Sequence, residues 1–120
     1  MGLDINFIKR RSESIGYFRK VNFLVKFFQD KGMDVDNQQL FLINKEMIED
    51  LYNRCLQVIN DHSKAEQLLP TMSGFFFGST EYDEYYFKDV QKVCDYIENN
   101  LFEAFDSLDN EEDIYFDIWY

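Results

Sequence analysis

The sequence predicts an α+β (or small α/β) domain in which three helices pack on one small sheet, in the order β-α-β-α-β-α-β. Three observations carry that. Both ends of the chain alternate apolar and polar residues, the period of a strand with one buried face. The stretches between them repeat apolar residues at helical spacing. A length of 120 residues suits one core, for which thirteen Phe, eight Tyr and one Trp supply large buried areas. No internal repeat and no linker rich in Gly, Ser or Pro divides the chain, so residues 1–120 read as a single domain.

The first strand is read at Leu3, Ile5 and Phe7, alternating with Asp4 and Asn6 and ended by Lys9, Arg10 and Arg11. After a polar connection at Ser12–Ser14, a first helix is read from Ile15 to Lys31, with Gly32 as its stop. Tyr17, Val21, Leu24, Val25 and Phe28 form its inner face, and Arg19, Lys26 and Asp30 lie opposite. Lys20 falls on the apolar arc, so it is expected to be buried and paired with Asp4 or Asp117. Met33–Gln39 reads as a turn and Leu40–Ile43 as a short buried strand. Asn44 caps a second helix to about Asn60, with Met47, Ile48, Leu51, Tyr52, Cys55, Val58 and Ile59 on one face. Asp61–Ser73 is a loop around Pro70. Phe75–Phe77, between Gly74 and Gly78, reads as a third strand. A third helix runs from about Glu81 to Phe105 with Tyr86, Val90, Val93, Ile97, Leu101 and Phe105 in register, and Ile114, Phe116 and Ile118 mark the closing strand.

Charge is divided along the chain. Residues 81–120 hold thirteen Asp and Glu against Lys88 and Lys92, net −11, which is the net charge of the whole protein. Residues 1–31 are basic, at +4. An acidic surface repels nucleic acid and membrane headgroups and attracts basic protein surfaces within about a Debye length, ~10 Å. No apolar run is long enough to span a bilayer and no leader with a cleavage site opens the chain, so a soluble, cytoplasmic protein is expected. Cys55 and Cys94 lie on apolar helix faces and read as reduced core residues. With His62 the only histidine and no CxxC, neither a zinc site nor any other cofactor is expected.

The candidate sites fall in two groups. The first is a partner-binding surface on the third helix and the tail: Tyr82, Asp89, Asp95, Glu98, Glu103, Asp106, Glu111, Glu112 and Trp119, with Tyr85 as a further aromatic anchor. The second is a pocket formed by Asp4, Arg19, Lys20, Thr71, Ser73, Glu81, Asp83 and Asp117, in which paired carboxylates could exchange protons. Gly78-Ser79-Thr80 precedes a helix, where phosphates bind. No Lys follows the glycine and three acids occupy the first turn, so the segment reads as a turn and cap rather than a phosphate loop. Ser73 lacks the spacing of a nucleophile elbow, and the acids beside Phe75–Phe77 argue against a nucleic-acid stacking platform.

Four blocks, in matching order along the chain, resemble a family of small uncharacterised phage and prophage proteins. They are Met1-Gly2-Leu3-Asp4, Ile15-Gly16-Tyr17-Phe18-Arg19-Lys20, the run from Leu69 to Asp83 that contains Ser73-Gly74-Phe75-Phe76-Phe77-Gly78-Ser79-Thr80, and the closing Tyr115-Phe116-Asp117-Ile118-Trp119-Tyr120. Family members often carry Trp at the position of Phe18. Some carry a phosphoglycerate-kinase label, which does not fit a chain too short for two nucleotide and substrate domains. The resemblance implies an accessory protein acting on host machinery. The leading expectation is a non-enzymatic factor covering a basic surface of a host protein, such as the nucleic-acid channel of a defence nuclease, in the manner of anti-CRISPR and anti-restriction proteins. The competing expectation is a small ligand-binding domain or enzyme using the pocket around Arg19, Lys20, Glu81 and Asp117.

Overall fold

A computed structural model of the protein describes residues 2–9, 13–37, 40–74 and 77–120. Strands β1 (Asp4–Lys9) and β2 (Glu13–Arg19) form an antiparallel hairpin. Helix α1 (Asn22–Asp30), strand β3 (Phe41–Ile43) and helix α2 (Lys45–Asn60) follow. A short helix α3 (Ala65–Leu68), then α4 (Glu84–Tyr96), a π-helical turn (Ile97–Leu101) and α5 (Phe102–Asp106) lead to strand β4 (Ile114–Trp119). The sheet is antiparallel throughout, in the order β2-β1-β4-β3. The fold is α+β, with both terminal strands side by side in the middle of the sheet.

The pairing of β1 with β4 follows from their alternation. Ile5, Phe7, Phe116 and Ile118 are fully buried, and Ile5 lies opposite Ile118 and Phe7 opposite Phe116. Cross-strand neighbours of this kind are the unit of sheet stability. Helices α1 and α4 cover that face. Phe28 of α1 lies 4.2 Å from Phe116 between ring centroids, and Tyr96 of α4 lies 5.5 Å from Phe7. Asn44 caps α2 as its sequence announces, its side chain accepting from the Met47 N–H at 2.9 Å. Ile48, Leu51, Cys55 and Val58 fill the inner face of α2, and both cysteines are buried free thiols.

The helix expected from Ile15 begins at Asn22. Ile15–Arg19 is strand β2, and the chain turns at Lys20 before α1 starts. Gly16 explains the difference. A helix pays about 1 kcal/mol for an interior glycine. In β2 the same residue faces Phe7, under the Tyr96 ring, where a Cβ would collide with the phenol. Lys20 is neither helical nor buried: it is exposed, has φ +60°, donates its N–H to Leu3 O at 2.7 Å and forms no ion pair with a described residue. The apolar arc that suggested its burial belongs only to α1 proper.

The third strand was expected at Phe75–Phe77. Phe75 and Phe76 lie outside the described residues, as do Arg10, Arg11, Ser12, Gln38 and Gln39. Phe77 is buried but not paired in the sheet, and its N–H donates to Gly74 O. The third helix starts at Glu84 rather than Glu81. Asp83 is its N-cap and accepts from the N–H groups of Tyr85 and Tyr86, each at 3.1 Å. The loop expected at Asp61–Ser73 contains a 3₁₀ turn at His62–Lys64 and the short helix α3.

Candidate functional site

The segment from Leu69 to Asp83 has no strand or helix among its described residues, yet polar side chains hold it closely. Asn22, buried at the start of α1, donates to Phe77 O at 3.1 Å and to Ser79 O at 2.9 Å, and accepts from the Met72 N–H at 3.0 Å. The Tyr86 hydroxyl donates to Leu69 O at 2.7 Å. The Thr71 hydroxyl donates to Thr80 O at 2.9 Å, and its N–H donates to the Tyr82 hydroxyl at 3.2 Å. Buried backbone groups need partners, and here side chains replace a ladder.

This strap closes one side of a cleft of about 170 Å³, lined by Arg19, Lys20, Asn22, Thr71, Ser79, Glu81, Asp83, Tyr85 and Asp89 among others. Arg19 and Lys20 come from the end of β2 and the turn after it. Glu81 and Asp83 come from the strap, and Asp89 from one turn into α4. Gly78, at φ +92°, lies against Lys20: a Cβ there would sit 3.1 Å from the Lys20 Cβ. Five of the eight residues expected in a pocket are therefore brought together. The other three are not. Asp4 accepts from the Tyr17 hydroxyl at 2.5 Å, and Asp117 accepts from the Trp119 indole N–H at 2.9 Å; both lie on the sheet face turned away from α1 and α4. Ser73 is exposed and does not line the cleft.

Burial raises the Asp89 carboxyl above the ordinary aspartate range, with nearby Lys92 opposing and Asp83 adding to the rise. Asp89 makes no hydrogen bond and no ion pair with a described residue. Burial likewise raises Asp117, against the hydrogen bond from Trp119 and a backbone hydrogen bond at Ile118.

The surface expected to meet a partner divides in two. Asp95, Glu98, Glu103 and Asp106 are exposed along α4, the π turn and α5. The π turn widens the helix there and leaves Glu98, Asn99 and Asn100 exposed in succession. Asp106 pairs with Lys45 at 2.7 Å and Asp95 accepts from Gln91 at 2.9 Å. Glu111 is exposed on the following turn, but Glu112 is not part of that surface. It is 8% exposed, pairs with Lys9 at 3.6 Å and accepts from the Asp109 N–H at 3.0 Å, so it pins the turn to β1. Tyr82 is half-buried and holds the strap, while Tyr85 is 68% exposed, with the Lys88 ammonium 5.7 Å from its ring centroid. Asp89 belongs to the cleft.

Trp119 projects from the opposite side of the sheet, where it is 61% exposed and shares a face with Tyr17 at 56% and Leu42 at 52%. Sequence reasoning did not foresee this aromatic face, because Tyr17 was assigned to a helix interior. It also missed Asn22 and the stack of His62 on Phe87, whose rings lie 3.7 Å apart at 8°. Among the described residues no group of three or more His, Cys, Asp or Glu could hold a metal ion, and no helix is long and apolar enough to cross a membrane.

Comparison with known protein families, with curated proteins and with solved structures finds no match.

Proposed function

We propose that this chain is a non-enzymatic protein-binding factor of a phage or mobile element. It would act in the bacterial cytoplasm by covering a basic surface of a host protein, such as the nucleic-acid channel of a defence nuclease. The observation that supports this is where the fold neutralises its charge. Lys26, Lys31 and Arg54 are spent on Asp30 and Asp50, and Lys45 on Asp106. Asp95, Glu98 and Glu103 have no ion pair with a described residue. Unneutralised like charges on one stripe work against the folded state, and a basic partner removes that cost. The same charge steers association and makes it sensitive to salt. The phage setting rests on the four sequence blocks, and the charge pattern is independent of it.

The test is capture from a bacterial host lysate followed by kinetics on the captured protein. Wild type and an Asp95→Lys, Glu98→Lys, Glu103→Lys triple variant are compared across a salt series. The variant should keep its circular dichroism spectrum, since exposed charges contribute little to stability, and should associate about tenfold or more slowly at low salt. Equal on-rates and equal salt slopes would show that these carboxylates only solvate the helix.

A further inference from the structure

We propose that the cleft between the β2–α1 turn and the start of α4 binds a small zwitterion: a ligand bearing one carboxylate and one ammonium group, the class of the free α-amino acids. This goes beyond the protein-binding reading and stands or falls separately from it.

Two cations, Arg19 and Lys20, line the cleft from the turn, and Glu81, Asp83 and Asp89 line it from the strap and from α4, the Asp83 carboxylate being held by the N–H groups of Tyr85 and Tyr86. Neither cation is within 4.0 Å of a carboxylate of any described residue, so the two charge sets share a cavity without closing on each other. Lys31 pairs with Asp50 at 2.8 Å and Lys45 with Asp106 at 2.7 Å, whereas Lys64, Lys88 and Lys92, like Lys20, form no ion pair with a described residue. Here the Arg19 guanidinium and the Lys20 Cε lie against Gly2, within 3.3 Å of where a Cβ on it would sit. Lys20 sits at φ +60° against Gly78, and Asn22, the next residue but one, is fastened to the strap by three hydrogen bonds. A left-handed non-glycine residue is a form of strain that persists where its surroundings hold it, often at binding sites.

The two walls therefore carry opposite charges that do not meet, and a ligand that carries both charges satisfies both. A cation alone would meet Arg19 and Lys20, and an anion alone would meet Glu81 and Asp89. The half-buried Asp89 carboxylate lacks a hydrogen-bond donor, which a ligand ammonium would supply. Size narrows the class. A cavity of about 170 Å³ lies below the range of about 300–1,000 Å³ typical of sites for drug-sized ligands, so a compact amino acid fills it, whereas a nucleotide would extend well beyond it.

The experiment is a ¹⁵N–¹H titration of the intact protein at fixed ionic strength with L-alanine, and separately with acetate and with methylammonium. Alanine should shift the amides of Lys20, Ser79 and Glu81 saturably, with a Kd of roughly millimolar or tighter, and each half-ligand should bind about tenfold more weakly or worse. Arg19→Gln and Asp89→Asn should each weaken alanine binding about tenfold while the remaining amide spectrum stays in place. Arg19 is exposed and Asp89 half-buried, so neither change threatens the fold. The inference is overturned if neither alanine, glycine nor serine gives a saturable shift. It is equally overturned if acetate or methylammonium alone binds as well as alanine, or if the two variants bind as wild type does.

Discussion

Replacing Asn22 with Ala tests whether one amide holds the Leu69–Asp83 strap in place. Three hydrogen bonds are lost together, at 3.1, 2.9 and 3.0 Å. At about 0.5–1.5 kcal/mol each they sum to about 1.5–4.5 kcal/mol. The middle of that range, about 3 kcal/mol, is expected, because Phe77 O is orphaned in the interior while Ser79 O and the Met72 N–H are only partly buried and recover water. For a chain of this length about 4 °C accompanies each kcal/mol, so the melting temperature should fall by about 10–15 °C. Urea unfolding followed by far-ultraviolet circular dichroism gives the free energy directly. Asn37→Ala is the control: its amide bonds Asp34 on the surface and its loss should cost under about 0.5 kcal/mol. A loss below about 1 kcal/mol for Asn22→Ala would refute the reasoning, since the strap would then be held by its apolar contacts.

Three further outcomes are expected. Gly16→Ala should destabilise the protein by about 1–3 kcal/mol in the same assay, because the new methyl meets the Tyr96 ring; a neutral result would mean that α4 shifts freely over β2. Lys20→Val should cost about 1–2 kcal/mol, since a β-branched residue resists φ +60° more than Lys does, and Lys20→Gly almost nothing, since relief of the left-handed strain offsets the entropy that glycine adds to the unfolded chain; equal effects would remove the backbone argument. Asp89→Asn should stabilise the fold at pH 7 and lose that advantage at pH 3. The Asp89 pKa is raised on folding, so the native state binds more protons than the unfolded chain between the unfolded and folded values. Wild-type stability therefore falls as pH rises through that window, and the asparagine, which cannot ionise, escapes the fall. Thermal unfolding of both proteins at the two pH values shows whether the gap opens in that direction.

What the chain declares by itself is whatever depends on local periodicity and local capping. The alternation of Leu3–Phe7 and of Ile114–Ile118 identifies two strands with one buried face each, and residues 114–119 and 4–9 form them. Asn44 announces α2, and the apolar positions from Tyr86 to Leu101 announce the long third helix, because a cap and a 3.6-residue repeat act within a few residues of sequence. The sum of charge over residues 81–120 is likewise a property of composition alone. What only the tertiary structure decided depends on residues far apart. Ile15–Arg19 is a strand because Gly16 meets Tyr96, eighty residues later, and the apolar spacing of 15–31 satisfies a helix equally well until that contact exists. Lys20 is exposed because a left-handed turn leads it out of the hairpin, which no side-chain pattern records. Asn22 became the clasp of an irregular strap fifty to fifty-seven residues away, and no period marks such a role. The cleft joins Arg19 and Lys20 to Glu81 and Asp89 for the same reason. Side chains with ordinary local surroundings acquire a shared chemistry only when packing places them around one cavity, and packing is set by the whole core at once.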